Sequence, residues 1–170
     1  MLRLTLLTAV IALVGSLAQA HAAEPLPPAK GEVLLKVTGE LEVTNAPGRA
    51  EFDRAMLEAL GRKSLTATFV ISGKTHRFEG VPLRAVLERV GGKGARIRAS
   101  AWNDYEVDIP WDDLKYDPLI AMSADGQVLT LRDKGPLWIV YPRDDYSALR
   151  DDLHDSRWVW QLNRLHIARP

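Results

Sequence analysis

Apolar and polar residues alternate along much of the chain, with a period of two that is typical of half-buried strands. In the first two thirds this pattern predicts strands at residues 32–39, 41–44, 65–71, 75–78, 95–101 and 105–110. Further strands are predicted at 119–123, at 127–131, at the wholly apolar stretch 136–141, and at the closing stretch 158–167. Asp125 and Gly126 separate two of these runs and predict a tight hairpin turn.

Two segments have helical spacing instead. In residues 50–61, Phe52, Met56 and Leu60 share one face, and Gly61 is placed to end the helix. Residues 81–92 form the second predicted helix, with Pro82 near its start and its apolar face made of Leu83, Val86, Leu87 and Val90. Segment 144–155 is polar and predicted to be partly helical. Strands, helices and strands without regular alternation predict an α+β fold with a mixed sheet.

The first 22 residues have the organisation of a signal peptide. Arg3 precedes a short apolar stretch, and cleavage is predicted after Ala20 or Ala22. Arg3 has no second arginine beside it, so the pattern predicts export by a Sec-type route, in which the chain crosses the membrane unfolded. The alternative is an uncleaved membrane anchor, for which the apolar run is short. We therefore expect a periplasmic protein that is not embedded in the membrane, with a Pro-rich linker at 23–31 and one domain at 32–168.

Charge and motifs exclude several function classes. The 22 basic and 22 acidic residues balance, so there is no electrostatic signature of nucleic-acid binding. The motifs of serine hydrolases, zinc peptidases and phosphate-binding loops are missing from the sequence. There is no cysteine, and His76, His154 and His166 lack metal-ligand spacing. Neither a metal site nor a set of catalytic residues is predicted.

Aromatic residues are dense in the second half of the chain, and they stand beside arginine, lysine, aspartate and asparagine residues. They surround the two tracts at 132–146 and 156–167. A flat heteroaromatic ligand needs this mixture, because aromatic planes stack on its face while carboxylates and amides bond to its edge. The alternative is that the tryptophans fill the core and the charges pair at its rim.

Four blocks of the sequence resemble the sulfite-oxidase-type molybdopterin-binding domain. They are, in order, "FEGVPLRAVLERVG" at 78–91, "NDYEVDIP" at 103–110, "GPLWIVYP" at 135–142 and "RWVWQLNRLHI" at 157–167. The resemblance covers residues 32–168 and implies that family's mixed, barrel-like β-sheet fold with a few short helices.

The sequence departs from the family at positions that matter for the cofactor. The resemblance implies a molybdenum-binding cysteine near residues 65–71, where Thr68, Phe69 or Val70 stands instead. Arg157, Trp158 and Trp160 replace a Lys-Ser-x-Lys group that holds the phosphate end of the cofactor, and Trp138 replaces an arginine. Loss of the thiolate removes the soft ligand for the metal, so no molybdenum is expected. The Sec-type signal agrees, since this cofactor is normally inserted before export.

A narrower resemblance fits better, to small periplasmic pterin-binding proteins that keep this fold without metal. It implies that a reduced pterin of the tetrahydromonapterin type occupies the old cofactor pocket. It also implies docking on the periplasmic domain of a membrane diguanylate cyclase or phosphodiesterase, or of a sensor kinase, with an effect on cyclic-di-GMP. The polar segment 144–155 is a candidate docking surface, and a solvated loop is its alternative.

This interpretation predicts a binding protein, not an enzyme. A carboxylate, Asp104 or Asp144, is expected to bond the pterin edge, and Trp158 or Trp160 to stack on the ring from one strand face. The predicted pterin-binding residues are Asn103, Asp104, Tyr105, Arg132, Lys134, Trp138, Tyr141, Arg143, Asp144, Arg157, Trp158 and Trp160. Two alternatives are a molybdopterin-dependent oxidoreductase with a ligand other than cysteine, and an interaction module whose own tryptophans fill the pocket.

Overall fold

The computed structural model describes residues 24–169, so the predicted signal peptide lies outside the described residues. Within this range the chain forms ten strands, three short α-helices and three 3₁₀ turns. The strands are β1 Leu35–Gly39, β2 Ala50–Phe52, β3 Lys63–Phe69, β4 Lys74–Pro82, β5 Arg96–Ala101, β6 Glu106–Pro110, β7 Leu119–Ala124, β8 Gln127–Val128, β9 Trp138–Val140 and β10 Leu162–Ala168. The helices are α1 Arg54–Glu58, α2 Leu83–Arg89 and α3 Asp152–Asp155. The 3₁₀ turns are Trp111–Tyr116, Leu131–Asp133 and Ser147–Leu149.

The strands form two sheets of five. The first has the order β2-β1-β10-β5-β6, and it is mixed because β1 and β10 run parallel while its other pairs are antiparallel. The second has the order β3-β4-β7-β8, with β9 also paired to β7, and its pairs are antiparallel. The prediction of α+β structure with a mixed sheet is confirmed. Neither sheet closes, so the barrel-like description is not supported.

One hydrophobic cluster joins both sheets and α2. Phe52 and Ile97 enter it from the first sheet, and Phe78 and Ile120 from the second, all four fully buried. The predicted apolar face of α2 is confirmed, since Leu83, Val86, Leu87 and Val90 are all buried. Among the helices within residues 24–169, none has the length and apolar content needed to cross a membrane.

Two predictions in the first third of the chain are wrong. Residues 41–44 form no strand, because Glu42 and Val43 both donate their backbone N–H to the carbonyl of Val90, at 2.9 and 3.0 Å, in the turn after α2. The predicted helix 50–61 begins late, because Ala50–Phe52 pairs with β1 as strand β2. Helix α1 starts only after Asp53, whose side chain caps it by accepting from the Met56 N–H at 2.9 Å.

The ends of the last strands also differ from prediction. The predicted strand 127–131 shortens to β8, and 136–141 shortens to β9. The closing strand begins at Leu162, because Gln161 adopts a left-handed φ of 55° that interrupts an extended chain. The prediction that Trp158 and Trp160 share one face of this strand is therefore wrong, because both residues precede it. They lie beside β9 instead, where Trp160 forms an isolated bridge with Trp138.

The Pro-rich segment ahead of β1 lies against the domain. Arg89 donates to the carbonyls of Glu24 and Pro25, each at 2.9 Å, and Leu26 is buried. Asp53 accepts from the backbone N–H groups of Lys30 and Gly31, each at 2.9 Å. The Met56 N–H in the cap on α1, followed by these hydrogen bonds to the charged form, holds the pKa of Asp53 below its ordinary value.

Candidate ligand-binding site

A cavity of about 530 Å³ lies between the two hairpin turns of the second sheet and the loop that leads to β9. The β3–β4 turn contributes Ile71 and Lys74, and the β7–β8 turn contributes Asp125 and Gln127. Strands β4 and β7 are paired directly, with Phe78 opposite Ala124, and this pairing places the two turns side by side. The cavity is within the size range of small-molecule sites.

Aromatic rings pack behind this cavity around Phe69, the last residue of β3. Trp138 meets the Phe69 ring edge-on at 4.9 Å between centroids, and Trp158 stacks on it at 5.8 Å with an interplanar angle of 26°. Phe78 closes the group at 5.2 Å from Trp138. Phe69, Trp138 and Trp158 are nearly fully buried, although Phe69 and Trp138 also line the cavity. The aromatic wall is therefore closely packed.

Two indole N–H groups in this wall, those of Trp138 and Trp158, are buried and have no hydrogen-bond acceptor in the described part of the chain. Buried indole N–H groups usually find an acceptor. Leaving one unpaired costs about 1–3 kcal/mol. Both nitrogens are closed off from solvent, so these unpaired donors are a property of the packed wall.

Three cations line the same cavity. Lys134 places its Nζ 5.6 Å from the centroid of the Phe69 ring and 5.3 Å from that of Trp160, which is within cation–π range. Lys74 and Arg132 are exposed at the cavity rim. Among residues 24–169, the ion pairs include none from these three side chains.

A histidine–carboxylate pair completes the lining. Asp125 Oδ2 lies 2.7 Å from His76 Nδ1, and Asp125 Oδ1 accepts from the Arg77 N–H at 2.9 Å. The His76 contact, followed by the Arg77 N–H, lowers the pKa of Asp125 below its ordinary value. The carboxylate is therefore ionised at neutral pH. Each oxygen still has a free lone pair with which to accept from a ligand.

Five of the predicted site residues gather at this place. Lys134, Trp138, Trp158 and Trp160 surround Phe69, and Arg132 lines the cavity rim. Asp144 lies next to them along β3, where its Oδ2 accepts from the N–H and the hydroxyl of Thr68 at 2.8 and 2.9 Å. The carboxylate of Asp144 is thus already used to hold the loop after β9 against the edge of β3.

Tyr141 and Arg157 lie elsewhere, in a buried cluster around Asp113. The Tyr141 hydroxyl donates to Asp113 Oδ2 at 3.0 Å, and Arg157 Nη1 donates to the same oxygen at 2.7 Å. Burial, and then the neighbouring Asp113, raises the pKa of Tyr141 well above its ordinary value. These two side chains fasten the 3₁₀ turn Trp111–Tyr116 to the segments around β9 and β10, and they do not line the 530 Å³ cavity.

Arg143 is also occupied by the protein itself. Its guanidinium bonds both oxygens of Asp155, at 2.7 and 3.2 Å, and this contact is the main cause that raises the pKa of Arg143. The pair connects the loop after β9 to α3. Arg143 does not line the 530 Å³ cavity.

Asn103, Asp104 and Tyr105 form the turn between β5 and β6, in the first sheet. The Tyr105 hydroxyl donates to the Ser156 carbonyl at 2.6 Å, and the Asn103 side chain accepts from the Tyr105 N–H at 3.3 Å. The preceding residue, Trp102, lines a separate cavity of about 650 Å³ together with Leu131. Leu129 borders both cavities. The smaller one is the better candidate site, because the predicted residues and the aromatic wall meet there.

Sequence reasoning missed Lys74, His76 and Asp125 as lining residues. In the sequence, His76 has no metal-ligand spacing, and Asp125 has the position of an ordinary turn residue. Only the pairing of β4 with β7 brings the two residues together, and no motif encodes this pairing. Within the described residues, no three His, Asp or Glu side chains are grouped as a metal ion requires.

Comparison with known proteins bears on the fold. No protein-family model matches the chain, and none of the curated proteins matches it in sequence. Among solved structures, the sulfane dehydrogenase SoxCD from Paracoccus pantotrophus is similar, with a TM-score of 0.62 and 20% sequence identity. The match covers 80% of this chain and 38% of that chain. At this identity the likeness concerns the fold alone, and it shows that the chain has a sulfite-oxidase-type fold.

Proposed function

We propose that this chain is a periplasmic, metal-free binder of a reduced pterin of the tetrahydromonapterin type, held in the 530 Å³ cavity, and that it regulates a membrane signalling enzyme. One observation carries the proposal. A cavity of ligand size joins a closely packed aromatic wall, an ionised carboxylate and three cations that form no ion pair within residues 24–169, in a fold related to a molybdopterin-binding oxidoreductase domain. Such a combination suits a flat ring with a polar edge.

Asp125 is the best candidate to bond the pterin edge. A pterin presents an amino group and a ring N–H side by side, and a carboxylate can accept from both. Asp125 lines the cavity and is ionised, whereas Asp144 is not among the residues that line it and Asp104 lies on the β5–β6 turn. We therefore assign to Asp125 the role that the sequence suggests for Asp104 or Asp144.

The residues present do not fit a molybdenum centre of the thiolate type. The sequence has no cysteine, and the resemblance implies the thiolate near Thr68, Phe69 or Val70, of which Phe69 is an apolar member of the aromatic wall. Molybdenum in this fold depends on that soft ligand. The proposal therefore includes no redox step and no metal.

Titration of the purified protein with tetrahydromonapterin, under anaerobic conditions, is expected to quench tryptophan fluorescence with a midpoint in the micromolar range. Asp125→Asn is expected to weaken binding about 10- to 100-fold, because one charge-assisted hydrogen bond contributes about 1.5–3 kcal/mol. Both the quench and its loss are measured by fluorescence and checked by calorimetry.

Asp117→Asn is the matched control for this experiment. Asp117 and Asp125 both stand in turns with positive φ, 54° and 51°, so both exchanges place asparagine in the same backbone conformation. Asp117 pairs with Lys63 at 2.7 Å, away from the cavity. We expect Asp117→Asn to bind like the wild type. If no reduced pterin binds the wild-type protein, the proposed function is wrong.

A ligand-free interaction module is a second candidate, and one observation favours it. Trp138 and Trp158 are buried against Phe69 and Phe78, so the protein's own rings fill much of the space behind the cavity. The two candidates differ in whether partner binding depends on a pterin. Exposed apolar residues beside the cavity suit a partner surface, since Ile71 is 69% and Val128 is 60% exposed.

Capture of the partner from native-host membranes is expected to require pterin. Immobilised protein loaded with tetrahydromonapterin should retain a diguanylate cyclase, phosphodiesterase or sensor kinase, identified by mass spectrometry, and stripped protein should not. Ile71→Ser should abolish capture because it removes apolar surface at the cavity mouth. Leu153→Ser, at a residue 60% exposed in the alternative docking segment 144–155, is the matched control. Equal capture with and without pterin supports the ligand-free module.

A further inference from the structure

The charge that lines the 530 Å³ cavity is not balanced by the protein. Lys74, Arg132 and Lys134 reach it from two separate segments, the β3–β4 turn and the loop before β9. Asp125 and Asp133 are the acids of the lining. Three cations therefore face two carboxylates in one small volume.

Both carboxylates are already engaged within the protein. Asp125 is bonded by His76 at 2.7 Å and by the Arg77 N–H at 2.9 Å. Asp133 accepts from the Thr130 hydroxyl at 2.7 Å. Neither acid forms an ion pair with Lys74, Arg132 or Lys134 in the described part of the chain. The positive charge at this site is left for a ligand.

Lys134 is the most informative of the three cations. It is partly buried, and its Nζ lies over the Phe69 and Trp160 rings. A lysine held against two rings has lost water on those sides, so an anion placed there is attracted more strongly than at an open surface. Lys74 and Arg132 at the rim extend the same positive field outward.

We propose that the pterin bound here carries an anionic tail, a phosphate or a carboxylate, and that Lys74, Arg132 and Lys134 hold this tail. The inference rests on the proposed function and refines it: tetrahydromonapterin, whose tail is neutral, is then the weaker-binding relative of the ligand that this site prefers. The tail site does not use Arg157, Trp158 or Trp160, the residues aligned with the phosphate-holding group of the resembling family. Arg157 donates to Asp113, and the indole of Trp158 is buried.

The test compares three reduced pterins that differ in the tail. Dihydroneopterin has a neutral tail, dihydroneopterin phosphate has a phosphate, and dihydrofolate has carboxylates, all on the same dihydropterin ring. We expect at least one of the two anionic ligands to bind the wild-type protein about tenfold more tightly than dihydroneopterin, or better, since charge-assisted hydrogen bonds are about twice as strong as neutral ones. Whichever anionic ligand binds more tightly identifies the tail as phosphate or carboxylate. This preference should shrink as salt is raised, because the rim charges are screened.

The double variant Lys74→Gln/Arg132→Gln tests the assignment to these residues. Both side chains are exposed, so the exchange does not disturb the core. We expect the ratio of the affinities for the anionic and the neutral pterin to fall to less than half of its wild-type value. The control is Lys93→Gln/Lys115→Gln, at two lysines that pair with Glu42 and Asp112 away from the cavity. This control should keep the wild-type preference.

The possible results distinguish the proposal of an anionic tail from the proposal that the protein binds a pterin. Equal affinity for neutral and anionic pterins, or a preference that survives Lys74→Gln/Arg132→Gln, overturns the anionic tail and leaves the proposed pterin function standing. No binding of any of the three pterins overturns both. A preference that is lost in the double variant and kept in the control supports the inference.

Discussion

Replacing Asp113 with alanine is expected to lower the free energy of unfolding by about 3–5 kcal/mol, because it leaves a buried guanidinium without its counter-charge. The side chains of Arg157 and Asp113 are each only 8% exposed, and their atoms Nη1 and Oδ2 lie 2.7 Å apart. Arg157 Nε already has no acceptor in the described residues, so the exchange leaves Nη1 without its partner as well. Tyr141 loses its acceptor in the same variant.

Urea unfolding followed by circular dichroism measures this loss. Asp112→Ala is the matched control, because Asp112 stands next in the chain and pairs with Lys115 at 2.7 Å on an exposed surface. That exchange should change stability by less than about 1 kcal/mol. The double variant Asp113→Leu/Arg157→Met removes both charges and should recover much of the stability. A loss below about 1 kcal/mol in Asp113→Ala contradicts the structural role assigned to the cluster.

Gly39→Ala is the second exchange with a large expected effect, a loss of about 2–5 kcal/mol. Gly39 ends β1 with φ of 91°, and an added Cβ would stand 2.1 Å from the carbonyl oxygen of Ile167 in β10. The backbone conformation costs an L-residue about 1–2 kcal/mol, and the overlap adds about 1–3 kcal/mol. Because the obstacle is the backbone of the neighbouring strand, no side-chain rotation relieves it.

Gly61→Ala separates these two costs. Gly61 has almost the same φ, 98°, but an added Cβ there meets nothing within 4 Å. It should therefore show the conformational cost alone, about 1–2 kcal/mol. The difference between the two variants, measured as the shift in urea midpoint at constant slope, reports the contact between β1 and β10. Equal losses would mean that this contact tolerates a methyl group.

Part of the candidate site follows from the sequence. Arg132, Lys134 and Trp138 belong to one tract whose aromatic and cationic residues predict a flat ligand, and all three line the cavity. Lys74 and Asp125 carry no such signal, because each lies in a turn of ordinary composition. Tyr141 and Arg157 have the right chemistry in sequence, but Asp113 holds them in the core. No local pattern shows which charged residues will meet.

The sequence by itself determined the local elements whose stability comes from neighbours along the chain. Helix α2, the β7–β8 hairpin and the existence of strands β3 to β6 were all predicted, because apolar period and turn residues specify them within about a dozen positions. The tertiary structure decided what depends on partners far apart. It pairs Ala50–Phe52 with β1 against the helical pattern, sets β1 parallel to β10, and places two hairpin turns around one cavity. The physical reason is that a backbone N–H or a charge is stabilised by whichever partner the packed core brings to it, and sequence spacing does not contain that information.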